Sequence, residues 1–127
     1  MRSTVIMITD PQMQAMAKLM DVAALKAQVH AGNIANQNTP GYKARAVAFD
    51  QAFRDALDHD GAAAAEAVEP QIYEPRDTME QPDGNDVSLN REIMESAKNQ
   101  TMYNAYIALA RGKMRLLNIA AGQAPGG

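Results

Sequence analysis

The sequence predicts a mainly α protein: two long terminal heptad helices packed as a coiled-coil-like pair, with a short amphipathic helix and a loop-rich middle segment between them. Three observations predict it. Near both ends, apolar residues recur at alternating spacings of three and four, the pattern of a helix packed along its length on another helix. Phe49, Ala52, Phe53, Ala56 and Leu57 fall on one helical face. Prolines at 70, 75 and 82 then forbid a long helix in the stretch that follows.

The N-terminal helix is expected over about 10–36. Thr9 or Asp10 serves as N-cap, and Pro11 occupies a first-turn position where its missing N–H is unneeded. Its seam is Met13, Met16, Met20, Ala23, Ala27, His30 and Ile34, with Leu19, Val22, Leu25 and Val29 forming a second apolar row. The C-terminal helix is expected over 87–121, capped by Ser88, with Glu92 placed where a carboxylate suits the helix dipole. Leu89, Ile93, Tyr103, Ile107, Ala110, Met114 and Leu117 form its seam, through Ser96 and Gln100. Here too a second row appears, in Met102, Tyr106, Leu109, Leu116 and Ala120. Gly112 weakens this helix by about 1 kcal/mol relative to alanine.

Between the helices, residues 37–82 read as a turn, the short helix stopped at Asp58-His59-Asp60-Gly61, an alanine-rich stretch and a loop that has room for an extended piece around Gln71 to Tyr73. The whole chain reads as one unit. An antiparallel pair buries one stripe of each long helix and leaves the second row facing water. Exposed apolar surface of that extent marks a partner interface, so neighbouring subunits are expected to complete the helices.

Composition narrows the function classes. A net charge of -3 over 127 residues gives no nucleic-acid footprint. With no cysteine, disulfides, zinc–thiolate sites and cysteine nucleophiles are excluded. Nine methionines and no tryptophan favour adaptable packing surfaces. The run Val5-Ile6-Met7-Ile8 ends at Asp10 and Pro11, shorter than the roughly 7–15 apolar residues of a signal-peptide core.

No constellation of acid, base and nucleophile is visible, so no enzyme, cofactor or small-molecule substrate is expected. His30 and His59 are far apart, and His30 lies on the helix seam, where it reads as a packed residue. Asp58-His59-Asp60 points its side chains in different directions and reads as a solvated helix stop, with no metal expected. DGNDVSLNRE lacks the ligand spacing of a calcium loop and reads as a tight turn at Asp83-Gly84 before a helix cap. After Glu95 the chain carries Lys98, Arg111, Lys113 and Arg115 and no acid, which leaves a membrane-surface helical adaptor as an alternative from another class. Asn99-Gln100-Thr101 forms a glycosylation sequon inside the helix, where it reads as accidental.

The stretch NIANQNTPGY, residues 33–42, has a different purpose. Asn36 or Asn38 is expected in the left-handed conformation that ends helices. Thr39 before Pro40 is pushed out of the helical region, and Pro40-Gly41 suits a type II turn. The asparagine amides can satisfy carbonyls left open at the helix end or on a neighbouring subunit. Such a loop fixes a direction.

Asn33, Ile34, Ala35 and Asn36, followed by Thr39, Pro40, Gly41 and Tyr42 at the end of an N-terminal heptad helix, resemble the signature of the bacterial flagellar axial proteins, the rod, hook and hook-associated family. Lys43, Ala44, Arg45 and Phe49 continue it. A second block, with Gly84, Asn85, Val87, Leu89, Glu92 and the closing run GKMRLL, is similar to the C-terminal region of a proximal-rod subunit. Ala46, Val47 and Ala48 depart from the acids usual there, and Ser88 stands where aspartate is common. The resemblance implies export through the flagellar type III apparatus without a cleaved signal peptide. It also implies helical assembly with copies of itself, other rod subunits, and export-gate and membrane-ring components. A second proximal-rod type, FlgC, is the near alternative, and GKMRLL argues against it.

Overall fold

The computed structural model describes residues 10–122. In order they form α1 (Pro11–Ala35), β1 (Ala46–Ala48), α2 (Asp50–Asp60), α3 (Ala62–Glu66), β2 (Gln71–Tyr73) and α4 (Leu89–Ala120). Val5–Ile8 and the Thr9 alternative for the first cap lie outside the described residues. Asp10 is the cap: its Oδ1 accepts a hydrogen bond from the Gln12 amide at 3.0 Å. Ser88 caps α4, its hydroxyl accepting from the Arg91 amide at 3.4 Å. No described helix is long and apolar enough to cross a membrane.

The chain divides into two compact units, and α1 and α4 each contribute a segment to both. The first holds residues 10–21, 50–68 and 103–122 of the described chain. Its buried side chains are Met13, Ala15, Phe53, Ala65 and Ala110. Phe53 sits on the apolar face of α2, so the short helix forms because it has a surface to bury. The α1 and α4 segments are tied where Lys113 Nζ donates to Gln12 Oε1 at 2.6 Å and lies 3.6 Å from Asp10 Oδ2.

The second unit holds Val22–Phe49 and Glu69–Met102. Its interior mixes apolar Val22, Ala23, Phe49 and Val87 with polar Asn33, Asn85, Asp86 and Glu92. β1 and β2 pair antiparallel, Ala46 opposite Tyr73, Val47 opposite Ile72 and Ala48 opposite Gln71. The β2 half of this sheet falls on the expected extended piece, and β1 has no counterpart in the sequence reading. Within this unit side-chain bonds join the long helices. His30 Nδ1 meets Glu92 Oε2 at 2.6 Å, and Asn99 Nδ2 donates to the Ala23 carbonyl at 2.8 Å. The contacts advance along α1 as they retreat along α4, so the two segments run antiparallel.

Those bonds also set the inward line of α4. Glu92 is buried, with Ser96 and Asn99 half-buried along the same line, while Leu89 and Ile93 are exposed at 38% and 55%. Of the other seam positions, Met13, Ala23 and Ala110 are buried. Met16, Met20, Ile34, Tyr103, Ile107, Met114 and Leu117 are half-buried, and Ala27 is exposed. The helix is rotated by about one residue in its first turns relative to an apolar seam, because a buried carboxylate is stable there only with a hydrogen-bonded partner. Asn99 of the sequon spends its amide on α1.

Candidate functional site

The stretch after α1 is built from its own carbonyls upward. The helix closes in tightened turns: the Asn36 amide is shared between Gly32 O at 3.1 Å and Asn33 O at 3.2 Å, and the Gln37 amide donates to Ile34 O. Asn36 Nδ2 adds a bond to Gly32 O at 2.8 Å, and its Oδ1 accepts from the Thr39 hydroxyl. Neither Asn36 nor Asn38 is left-handed; Arg76 is the one described non-glycine residue with positive φ. Side-chain and tightened-turn bonds satisfy the open carbonyls, so no left-handed residue is needed. Thr39 to Tyr42 then form the type II turn, with Gly41 at φ 75° and the Tyr42 amide donating to Thr39 O at 3.2 Å.

Asn33, fully buried in the last turn of α1, reaches forward to the returning chain. Its Nδ2 donates to Arg45 O at 2.8 Å while its Oδ1 accepts from Arg45 N at 2.9 Å. One amide side chain thus pairs with a main-chain residue on both edges, as a neighbouring strand would. The Tyr42 hydroxyl donates to the same Oδ1 at 3.4 Å. Ile34 is half-buried and Ala35 exposed beside it.

The partner of this loop is the DGND segment before α4. Asp83 Oδ1 accepts from the Asn85 amide at 3.0 Å, and Gly84, at φ 88°, turns the chain. Asn85, also fully buried, then donates both amide hydrogens into the motif turn, to Asn36 O at 2.9 Å and Thr39 O at 2.8 Å. Its Oδ1 accepts from the Val87 amide at 2.8 Å, and its own carbonyl accepts from Gln81 N at 2.8 Å. Asp86 takes the next step, Oδ1 accepting from Ala44 N at 2.7 Å and its amide donating to Tyr42 O at 3.2 Å. Thr78 Oγ1 closes onto Asp86 O. Gly41 N donates to Asp83 O at 2.9 Å, and Lys43 Nζ to Gly84 O with Glu80 2.8 Å away.

The two turns meet glycine to glycine. A Cβ on Gly84 would stand 3.3 Å from Gly41 Cα, a tight contact that adds to the strain a side chain would meet at the positive φ. The result is a polar clamp with Asn33 and Asn85 at its centre, both side-chain oxygens accepting, both amide hydrogens of Asn85 donated and one of Asn33 donated. Asparagine is the residue such a centre demands, since aspartate would lose the donors and bury a charge. The clamp holds no nucleophile beside a base, and among the described residues no cluster of acids or histidines is arranged to hold a metal.

The motif residues 33–42 were legible in the sequence as a turn that fixes direction. Asn85 was visible as part of a turn and Lys43 as a continuation of the motif, while Asp86, Thr78 and the His30–Glu92 bond were not read as part of the site. Their only local signal is the DGND run, whose carboxylates and amides could equally have faced water.

A long helix that ends in an asparagine-rich turn is thus locked to a second turn at the head of another long helix, the build of a structural joint. Comparison with known proteins gives the particular family. The chain is 32% identical to the flagellar basal body rod protein FlgB of Bacillus subtilis (strain 168), covering 75% of this chain and 81% of that protein. It is 31% identical to the FlgB of Aeromonas hydrophila, covering 75% and 80%. The chain therefore belongs to the FlgB family of flagellar basal body rod proteins. No family model matches it.

Proposed function

We propose that this chain is a structural subunit of the proximal rod, assembling helically into the driveshaft that transmits torque and surrounds the export channel. Its kinship with basal body rod proteins supports this reading, and the observation that carries it is the hydrogen-bonded clamp around buried Asn33 and Asn85. A subunit that transmits torque must hold its parts at one angle under load. Directional hydrogen bonds between buried groups specify one geometry, where apolar contacts tolerate sliding.

In this reading the chain acts as one rod-type unit, and α1 and α4 pair along their seams as a coiled-coil-like pair. The clamp residues Asn33, Ile34, Ala35, Asn36, Thr39, Pro40, Gly41 and Tyr42 set the joint for assembly with copies of itself, other rod subunits, and export-gate and membrane-ring components. Open-ended heterologous contact, a rotation that does not close, yields the tube. In the same reading the chain is exported through the flagellar type III apparatus without a cleaved signal peptide and lies in the periplasm-spanning rod. The test is fractionation. Detergent-resistant basal bodies stripped of outer parts are expected to retain the chain by immunoblot; a band confined to cytosol or free membrane would overturn the reading. Replacing Pro40 and Gly41 with alanines should block motility with little loss of expression.

A further inference from the structure

The second half of α4 carries an apolar stripe that the described residues of its unit leave uncovered. Leu109, Leu116 and Ile119 are 59%, 65% and 52% exposed, spaced so that they share one side of the helix. Gly112 lies among them, three residues after Leu109 and four before Leu116, and a Cβ there would meet nothing within 4 Å. The missing side chain leaves a notch between the two leucines, at a mid-helix position where glycine is otherwise unfavourable.

The start of α1 is pinned to the edge of this stripe. Lys113 Nζ donates to Gln12 Oε1 at 2.6 Å and lies 3.6 Å from Asp10 Oδ2. Leu109 and Leu116 stand four residues before and three after Lys113, so they flank it on the helix surface. Asp10 is the cap of α1, and the backbone of a capping residue departs from the helical path. The chain therefore enters α1 beside the notch.

The residues just before that point are apolar. Val5-Ile6-Met7-Ile8 lie two to five positions ahead of Asp10, and no charge falls between Arg2 and Asp10. At about 3.3 Å per residue, an extended chain can carry them roughly 7–17 Å from the cap. Leu109, Leu116 and Ile119 lie about 5–9 Å along the helix from Lys113. The run thus matches the stripe in chemistry and in reach. Its short tether also gives it an effective concentration of about the millimolar range, an advantage over any separate molecule in solution.

We propose that Val5–Ile8 fold back onto α4 of the same chain, an apolar side chain of the run seated in the notch at Gly112 between Leu109 and Leu116. The strap covers the stripe in the free chain and keeps that chain from self-associating through it. This goes beyond the rod reading and does not depend on it.

The natural chain has no cysteine, so engineered pairs report the contact in the purified full chain. In dilute solution Met7→Cys with Leu116→Cys is expected to close an internal disulfide about tenfold faster than Met7→Cys with Arg111→Cys, on the other side of α4. The tether gives both pairs a similar effective concentration, so docking is what separates them. Ile6→Asp with Ile8→Asp should keep the helical circular dichroism, raise the binding of an apolar dye and produce self-associated species in sedimentation. Equal rates for the two cysteine pairs overturn the strap. A disulfide between chains in place of the internal one overturns it in favour of a second copy on the stripe. An aspartate variant that stays monomeric with unchanged dye binding overturns it as well. If the aspartates instead release the chain from phosphatidylglycerol vesicles, the run serves a membrane and the strap is overturned. The basal-body immunoblot that tests the rod reading bears on none of these results.

Discussion

The two units are held by different physics. In one, the buried side chains of Met13, Ala15, Phe53, Ala65 and Ala110 are all apolar. In the other, four buried polar side chains, Asn33, Asn85, Asp86 and Glu92, share the interior with a few apolar groups. Apolar burial is non-directional and accepts substitutions that keep volume. A buried amide bonded through both its oxygen and its nitrogen accepts almost none, because each broken bond leaves a desolvated partner. Specificity of geometry and tolerance of sequence are thus divided between the units.

Substitutions can break that comparison, beginning with the largest effect. Asn85→Ala removes three hydrogen bonds, leaving Val87 N unpaired and Asn36 O and Thr39 O with only their main-chain donors, and should cost on the order of 4 kcal/mol in urea unfolding followed by circular dichroism. A loss no larger than a surface substitution would show that water replaces the amide and the clamp is loose. Asn33→Asp keeps the shape but puts a carboxylate against Arg45 O. About 3 kcal/mol should be lost, and less at a pH low enough to protonate it.

Gly84→Ala probes the glycine-to-glycine approach. With φ at 88° and Gly41 Cα 3.3 Å from the added carbon, it should cost about 2 kcal/mol. Gly41→Ala, where the added carbon meets nothing within 4 Å, should cost less, since backbone strain alone remains. Met13→Leu sharpens the contrast from the apolar side: a volume-conserving change should stay below about 1.5 kcal/mol by the same measurement.

The smallest effect is electrostatic. The Arg91 guanidinium, hydrogen-bonded at 2.6 Å, holds the exposed Asp77 carboxyl below its ordinary value of 3.8. A depressed folded value means that the pair's contribution is present above the unfolded value, about pH 4, and is lost as pH falls through the folded one. Arg91→Gln should return the Asp77 titration, read by carboxyl carbon shifts, to the ordinary range. Both groups face solvent, so thermal stability at neutral pH should hardly move.

The same division explains what could be read in advance. Pro11, the heptad spacing and Ser88 locate α1 and α4 to within a residue or two at their ends, since caps and periodicity are local. Pro40-Gly41 and Asp83-Gly84 announce their turns for the same reason. β1 was illegible: Ala46-Val47-Ala48 shows no alternation and becomes a strand only because β2 supplies its hydrogen bonds. Glu92 misled the seam, because a carboxylate in a first helical turn ordinarily faces water and here meets His30.

By itself the sequence determined the helices, their caps, the two glycine turns and a motif that resembles the flagellar axial proteins. All of these depend on residues within a few positions of one another. Only the tertiary structure decided that Asn85 enters the turn after α1, that Asp86 binds Ala44 N, and that His30 draws Glu92 inward. A side-chain amide carries donors and an acceptor in every context. Which carbonyls it finds across more than forty residues is settled when folding removes the water that would otherwise have satisfied it.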